Sequence, residues 1–272
     1  MWLAYLLITL VYGLALGSFA TALSWRLPRG LPIFTLKKAP SNTKSSNKNR
    51  SECPKCHKNL GLKDLIPFFS WVFLKGKCRH CHEKISVRYP LIESMTALLC
   101  VLFYLKFGFN LTLIPYIIMA PFLICLIAID FEHKIIPDIL HVILIGLGFC
   151  SLIVQGIVNG SPFEMLASNL PYSLIALFIY FTFALVLRFS CSAILKKEAL
   201  GLGDVKLFGT FGFWLGSLAF PYFLFFSGIS GIVLALFWQK STGQKEFPFG
   251  PALVVSFVIC LLTSGIDFFT LV

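Results

Sequence analysis

Apolar residues in this chain arrive in long, nearly uninterrupted runs, long enough to cross about 30 Å of bilayer hydrocarbon. Composition agrees: 57% of the 272 residues are hydrophobic, 13% are charged, and 29 are Phe, too few polar groups to coat a water-soluble domain. The fold class that follows is all-α, a polytopic helical membrane protein, because a helix satisfies its own backbone polar groups in lipid. The runs predict eight spans, at 2–24, 90–107, 111–129, 139–157, 172–189, 205–220, 222–238 and 252–271. Pro221 leaves open that the sixth and seventh are one kinked segment. The first run has no basic residues ahead of it and is followed by Arg26 and Arg29, so it reads as a retained span and not a cleaved leader. The organisation expected is a first helix at 1–24, a cytoplasmic basic loop at 25–89, and a seven-helix core at 90–272.

The formal charge of +11 raises nucleic acid as a partner, but its distribution points elsewhere. From Arg26 to Arg88 there are 15 Lys/Arg against Glu52, Asp64 and Glu83, a net +12 that leaves about −1 for the rest. A basic block beside a span is the signature of a cytoplasmic loop, with anionic lipid headgroups as its natural neighbours. The later connections agree: Lys134, Lys196, Lys197, Lys240 and Lys245 fall on the same predicted side, which puts both termini outside. The stretch at 37–50, rich in Ser, Asn and Lys and without periodicity, is expected to be a flexible linker.

Within the basic loop lie Cys53-Pro-Lys-Cys56 and Cys78-Arg-His-Cys81. Two such hooks supply the four thiolates of a tetrahedral zinc ribbon. Four thiolates close the metal's shell, so the role expected of zinc is to fold a loop too short to have its own core. The other five cysteines are scattered through the spans and read as small apolar fillers.

Acids beside spans are costly to desolvate and are functional candidates. Asp267 suits an exposed interfacial position, Asp138 a helix N-cap after Pro137, and Glu93 a cap, a partner of Arg88 or a site residue. Asp130 and Asp204 stand apart. Asp130 ends the apolar run Ile124–Ile129, and Asp204 closes Gly201-Leu202-Gly203-Asp204 ahead of the sixth span. The supporting glycines, Gly201 and Gly203, allow close backbone approach and positive φ. Two carboxylates at one membrane face are the minimum apparatus of aspartyl proteolysis, one activating water while the other donates to the scissile carbonyl.

Taken in order, these pieces resemble the type IV prepilin peptidase family. The matching motifs are Gly17-Ser18-Phe19; Arg26-Leu27-Pro28; the cysteine hooks bracketing Asp64-Leu65-Ile66-Pro67; Tyr89-Pro90 with Glu93; Ile129-Asp130 with Ile136-Pro137-Asp138; Gly201–Asp204 with Val205-Lys206; and Pro248-Phe249-Gly250-Pro251. The resemblance implies that Asp130 and Asp204 are the catalytic pair. It implies a bacterial inner-membrane enzyme that removes basic leader peptides from prepilins and type II secretion pseudopilins at the cytoplasmic face. It also implies N-methylation of the new terminus with S-adenosylmethionine, although no Gly-rich nucleotide loop is visible; Glu93, just beyond the cysteine module, is our candidate for orienting the new amino terminus. Two alternatives stay open on residues alone: a presenilin-like intramembrane protease using the same GxGD pattern, and a transporter or assembly scaffold with a structural zinc loop.

Overall fold

The computed structural model describes residues 1–31, 55, 56, 58, 61, 67–196, 200–244 and 246–263. The stretch at 37–50, Cys53, Asp64 and Asp267 lie outside them. The chain divides into two compact units, Met1–Val101 and Leu102–Val272.

The first unit contains α1 (Trp2–Arg26), the one-and-a-half-turn α2 (Phe69–Phe73) and most of α3 (Arg88–Phe107). A Cβ placed on Gly13 would lie 2.7 Å from the Ala97 Cα, and one on Gly17 2.5 Å from the Glu93 Cα. Glycines four residues apart thus let α1 and α3 touch backbone to backbone, as small residues do in lipid, where the hydrophobic effect cannot press helices together.

The second unit contains α4 (Leu113–His133), α5 (Asp138–Val158), α6 (Pro162–Leu195), α7 (Leu202–Leu215), α8 (Phe220–Thr242) and α9 (Gly250–Thr263). Among the described residues six helices are long and apolar enough to span a membrane: α1, α3, α4, α5, α6 and α8. The other two predicted spans coincide with α7 and α9, each described over 14 residues.

α7 is the central helix of this unit. It packs against α5, α6 and α9, and Val205 and Leu207–Phe213 along it are buried. Glycines again open the closest contact: a Cβ on Gly212 would sit 2.7 Å from the Tyr180 ring and 2.8 Å from the Ala176 carbonyl of α6. The Tyr180 hydroxyl then donates to the Gly216 carbonyl at 3.1 Å, and Phe211 stacks on Phe257 of α9 with centroids 4.1 Å apart.

One span differs markedly in its bounds from the sequence expectation. The fifth span begins at Pro162, ten residues before the predicted 172, and runs for 34 residues. Pro162 suits a first helical position, and Pro171 inside the helix removes one hydrogen bond without ending it. The doubt at Pro221 resolves as two helices: Gly216, at φ +74°, ends α7, and Pro221 falls in the first turn of α8.

Candidate active site

α4 ends where Lys134 takes a left-handed conformation, φ +54°, with its N–H donating to the Asp130 carbonyl at 2.9 Å. This leaves Asp130 in the last turn, 5% exposed. Its Oδ2 accepts the backbone N–H of Gly250, the first residue of α9, at 2.9 Å. The free N–H groups of a helix start are a natural partner for a carboxylate. Any side chain there would displace the carboxylate, since a Cβ on Gly250 would fall 2.7 Å from that oxygen. Lys134 braces the arrangement by donating to the Glu246 carbonyl at 3.2 Å, in the segment leading into α9.

Asp204 lies in the first turn of α7 with its carboxylate against Gly201, where an added Cβ would fall 3.1 Å from Oδ2. Gly203 permits a second close approach: a Cβ there would be 3.0 Å from the Ile136 Cβ. Ile136 lies in the α4–α5 connection and also reaches the Gly250 position, 3.4 Å from its notional Cβ. One side chain is therefore wedged between the two glycines that accompany the two acids. Neither Gly201 nor Gly203 has positive φ, contrary to one of the two roles expected of them. What the positions require is the absence of a side chain.

Asp130 and Asp204, 74 residues apart in sequence, line one cavity of about 260 Å³, together with Ile136, Asp138 and both glycines. Asp138 does not cap α5 as expected. Pro137 is the N-cap, Asp138 is the first helical residue, and its side chain makes no capping bond. It pairs instead with Lys206 of α7, Nζ to Oδ1 at 2.6 Å.

In the first unit, residues 76–85 fold into a knuckle. The Cys78 N–H donates to the Glu83 carbonyl at 2.8 Å, the Ile85 N–H to the Gly76 carbonyl at 2.7 Å, and Lys77 bridges Lys84. The sulfurs of Cys56, Cys78 and Cys81 lie within 4.8 Å of one another. Thiolates around a tetrahedral metal at about 2.3 Å stand about 3.8 Å apart, so the three are placed to hold a metal ion.

Comparison with known proteins adds the family. Residues 11–107 match the bacterial peptidase A24 N-terminal domain, and residues 117–236 match the type IV leader peptidase family. A type 4 prepilin-like proteins leader peptide-processing enzyme of Escherichia coli is 32% identical over 89% of this chain and 88% of its own length. A prepilin leader peptidase/N-methyltransferase of Neisseria gonorrhoeae is 34% identical over 90% of this chain and 86% of its own. The chain belongs to the type IV leader peptidase family. That membership displaces the presenilin-like and scaffold alternatives. No solved structure matches the chain.

In this leader peptidase family member Glu93 is 8% exposed and has both oxygens engaged. Ser18 Oγ of α1 donates to Oε1 at 2.8 Å, and the Phe68 N–H donates to Oε2 at 2.7 Å. The carboxylate is neither a cap nor paired with Arg88, whose guanidinium reaches Ser24 at 2.9 Å. Sequence reasoning missed Gly250, Ile136 and Lys206 as parts of the acid site. The Pro-Phe-Gly-Pro motif and the Lys after Gly-x-Gly-Asp-Val were visible, but nothing local indicates which acid each one meets.

Proposed function

We propose that this chain is a membrane aspartyl endopeptidase that cleaves the basic leader from prepilins and type II secretion pseudopilins, and N-methylates the new terminus. We place it in the bacterial inner membrane, with its site at the cytoplasmic face. The observation that carries the peptidase reading is the meeting of Asp130 and Asp204 at one cavity, each carboxylate set against a glycine that leaves it room. Two carboxylates facing one cavity disfavour each other's ionisation, so the working pair carries one proton. The ionised acid takes a proton from water as it attacks the scissile carbonyl, and the protonated acid donates to the carbonyl oxygen as charge develops there. The proton gained by the first acid then goes to the leaving amine.

Zinc is proposed as a structural ion bound by Cys53, Cys56, Cys78 and Cys81. The clustering of the last three supports this, and four thiolates leave zinc no open position for chemistry. S-adenosylmethionine would supply an electrophilic methyl group to the new amine. Glu93, the candidate for orienting the new amino terminus, is buried and has one hydrogen bond on each oxygen. It enters the methyltransferase proposal as a brace, joining α1 and α3 to the chain that leads into the cysteine knuckle.

The test is incubation of membranes with a synthetic prepilin N-terminal segment, followed by mass spectrometry. Asp130→Asn and Asp204→Asn should each abolish cleavage with normal insertion, and the double variant should lose no more than either single one. Near-normal processing by either, at matched expression, refutes the pair.

A further inference from the structure

Asp138, His141 and Leu144 recur at three-residue spacing on α5, and Lys206, Thr210 and Trp214 at four-residue spacing on α7. Each set therefore occupies one face of its helix, and the two faces meet in three polar rungs. Lys206 Nζ contacts Asp138 Oδ1 at 2.6 Å, His141 Nδ1 lies 3.2 Å from Thr210 Oγ1, and the Trp214 indole N–H donates to the Leu144 carbonyl at 2.9 Å. The outer rung is exposed. The middle one is buried, with His141 5% and Thr210 1% accessible.

The protons of the middle rung can be assigned. The Thr210 hydroxyl has one proton, and it donates this to the Lys206 carbonyl at 3.0 Å. His141 is then assigned as the donor, through Nδ1–H, because the other tautomer would bury an Nε2–H with no acceptor. Its Nε2, buried and without a hydrogen-bond partner among the described residues, is the bare acceptor of a neutral ring. A second proton there would bury an unpaired N–H together with a charge, a far costlier state.

We propose that this ladder positions Asp204, with neutral His141 as its central positioning residue. The inference rests on reading Asp204 as one of the catalytic pair. Asp204 precedes Thr210 by six residues on α7, about 9 Å along the axis. Close packing holds α7 on every side, and within it the hydrogen bonds, which favour one direction, set the rotation about the axis at which the helix comes to rest. A carboxylate oxygen about 6 Å from the axis moves by about 1 Å when the helix turns by about 10°. Displacements of that size at a reacting group cost about 100-fold in rate. The ladder therefore acts through α7 on the distance between Asp204 and Asp130. His141 touches neither acid.

The experiment is steady-state kinetics of purified full-length protein on a synthetic prepilin N-terminal segment. In His141→Leu, kcat should fall by about 100-fold at an unchanged folded amount, because Thr210 keeps its own donor bond. KM should change by no more than about twofold, since substrate contacts are untouched. His141→Asn places an amide N–H near the Nδ1 position and should restore most of the rate. Thr210→Val should reproduce the loss while Thr210→Ser does not, and His141→Leu/Thr210→Val should lose no more than either alone. If His141→Leu fails to accumulate, the Val and Ser pair at Thr210 carries the same test. Wild-type kcat in His141→Leu, an Asn variant as slow as Leu, or a loss confined to KM overturns the proposal. Asp204→Asn in the same series separates the two claims: if it cleaves normally, the catalytic pair itself falls, whereas an inactive Asp204→Asn beside an active His141→Leu removes the ladder alone.

Discussion

Replacing Gly250 by Ala isolates the support of Asp130 from its chemistry. The new methyl would lie 2.7 Å from Asp130 Oδ2, against the 3.4 Å at which ordinary contact begins, a deficit of about 0.7 Å. The other neighbours leave little room, with Asp130 Cγ at 3.2 Å and Ile136 Cδ1 at 3.4 Å. The carboxylate therefore has to give way, and its bond from the Gly250 N–H lengthens with it. A shift approaching 1 Å at a reacting group predicts a fall in kcat of about 30- to 100-fold. Folding should not suffer, because Gly250 is not at positive φ and Ala favours the start of a helix. The matched control is Gly228→Ala, whose added methyl meets nothing within 4 Å. Both proteins would be compared at equal membrane content on the synthetic prepilin segment. A Gly250→Ala rate within about twofold of wild type, with Asp130→Asn inactive, would refute the claim that this N–H fixes the reacting carboxylate.

Asp138→Asn should retain substantial cleavage, since Asn keeps an acceptor for Lys206 and the buried His141–Thr210 rung is untouched; complete loss in the same assay would make it a rival to Asp130. Metal analysis of purified protein should give about one zinc per chain, lost in a Cys53→Ser/Cys78→Ser protein; unchanged content there would end the zinc-ribbon reading. Cys78→Ser/Cys81→Ser and Glu93→Gln should impair methylation more than cleavage when both products are scored by mass. An equal fall in the two would make the knuckle a general folding element. Gly17→Leu drives a side chain into the Glu93 backbone and should destabilise the protein by several kcal/mol of overpacking and lost contact, read as lowered resistance to detergent or protease.

Much of this architecture is legible in the sequence, because bilayer thickness imposes a length on every span and leaves the helix count visible as runs of apolar residues. The two acids are legible for a related reason: a carboxylate beside such a run stands out against it. Their partners are not. Asp130 meets Gly250 across 120 residues, and nothing in Pro-Phe-Gly-Pro says which acid its N–H faces. The faces formed by Asp138, His141 and Leu144 and by Lys206, Thr210 and Trp214 follow from helical period, but their pairing depends on how α5 and α7 pack. Glu93 misleads for the same reason. Its near neighbour Arg88 suggests an ion pair, whereas its partners are Ser18 and the Phe68 N–H, 75 and 25 residues away. The early start of α6 was hidden because Pro171 reads as a break, when it costs one hydrogen bond in a helix otherwise free to continue.

A 14-residue helix is about 21 Å long, well short of the hydrocarbon thickness, and a segment of that length exposed to acyl chains would thin the bilayer around it. α7 escapes that penalty by being sheathed in other helices, so its length is free to answer a different demand. Its first turn need not reach the headgroups, and the carboxylate there can sit below the level at which lipid-facing helices emerge. A substrate whose scissile bond lies at the edge of its own apolar segment can then be met without being drawn fully into water. Cleavage by this chain should accordingly depend on the acyl-chain length of the surrounding lipid, even though the helix that carries Asp204 hardly touches it.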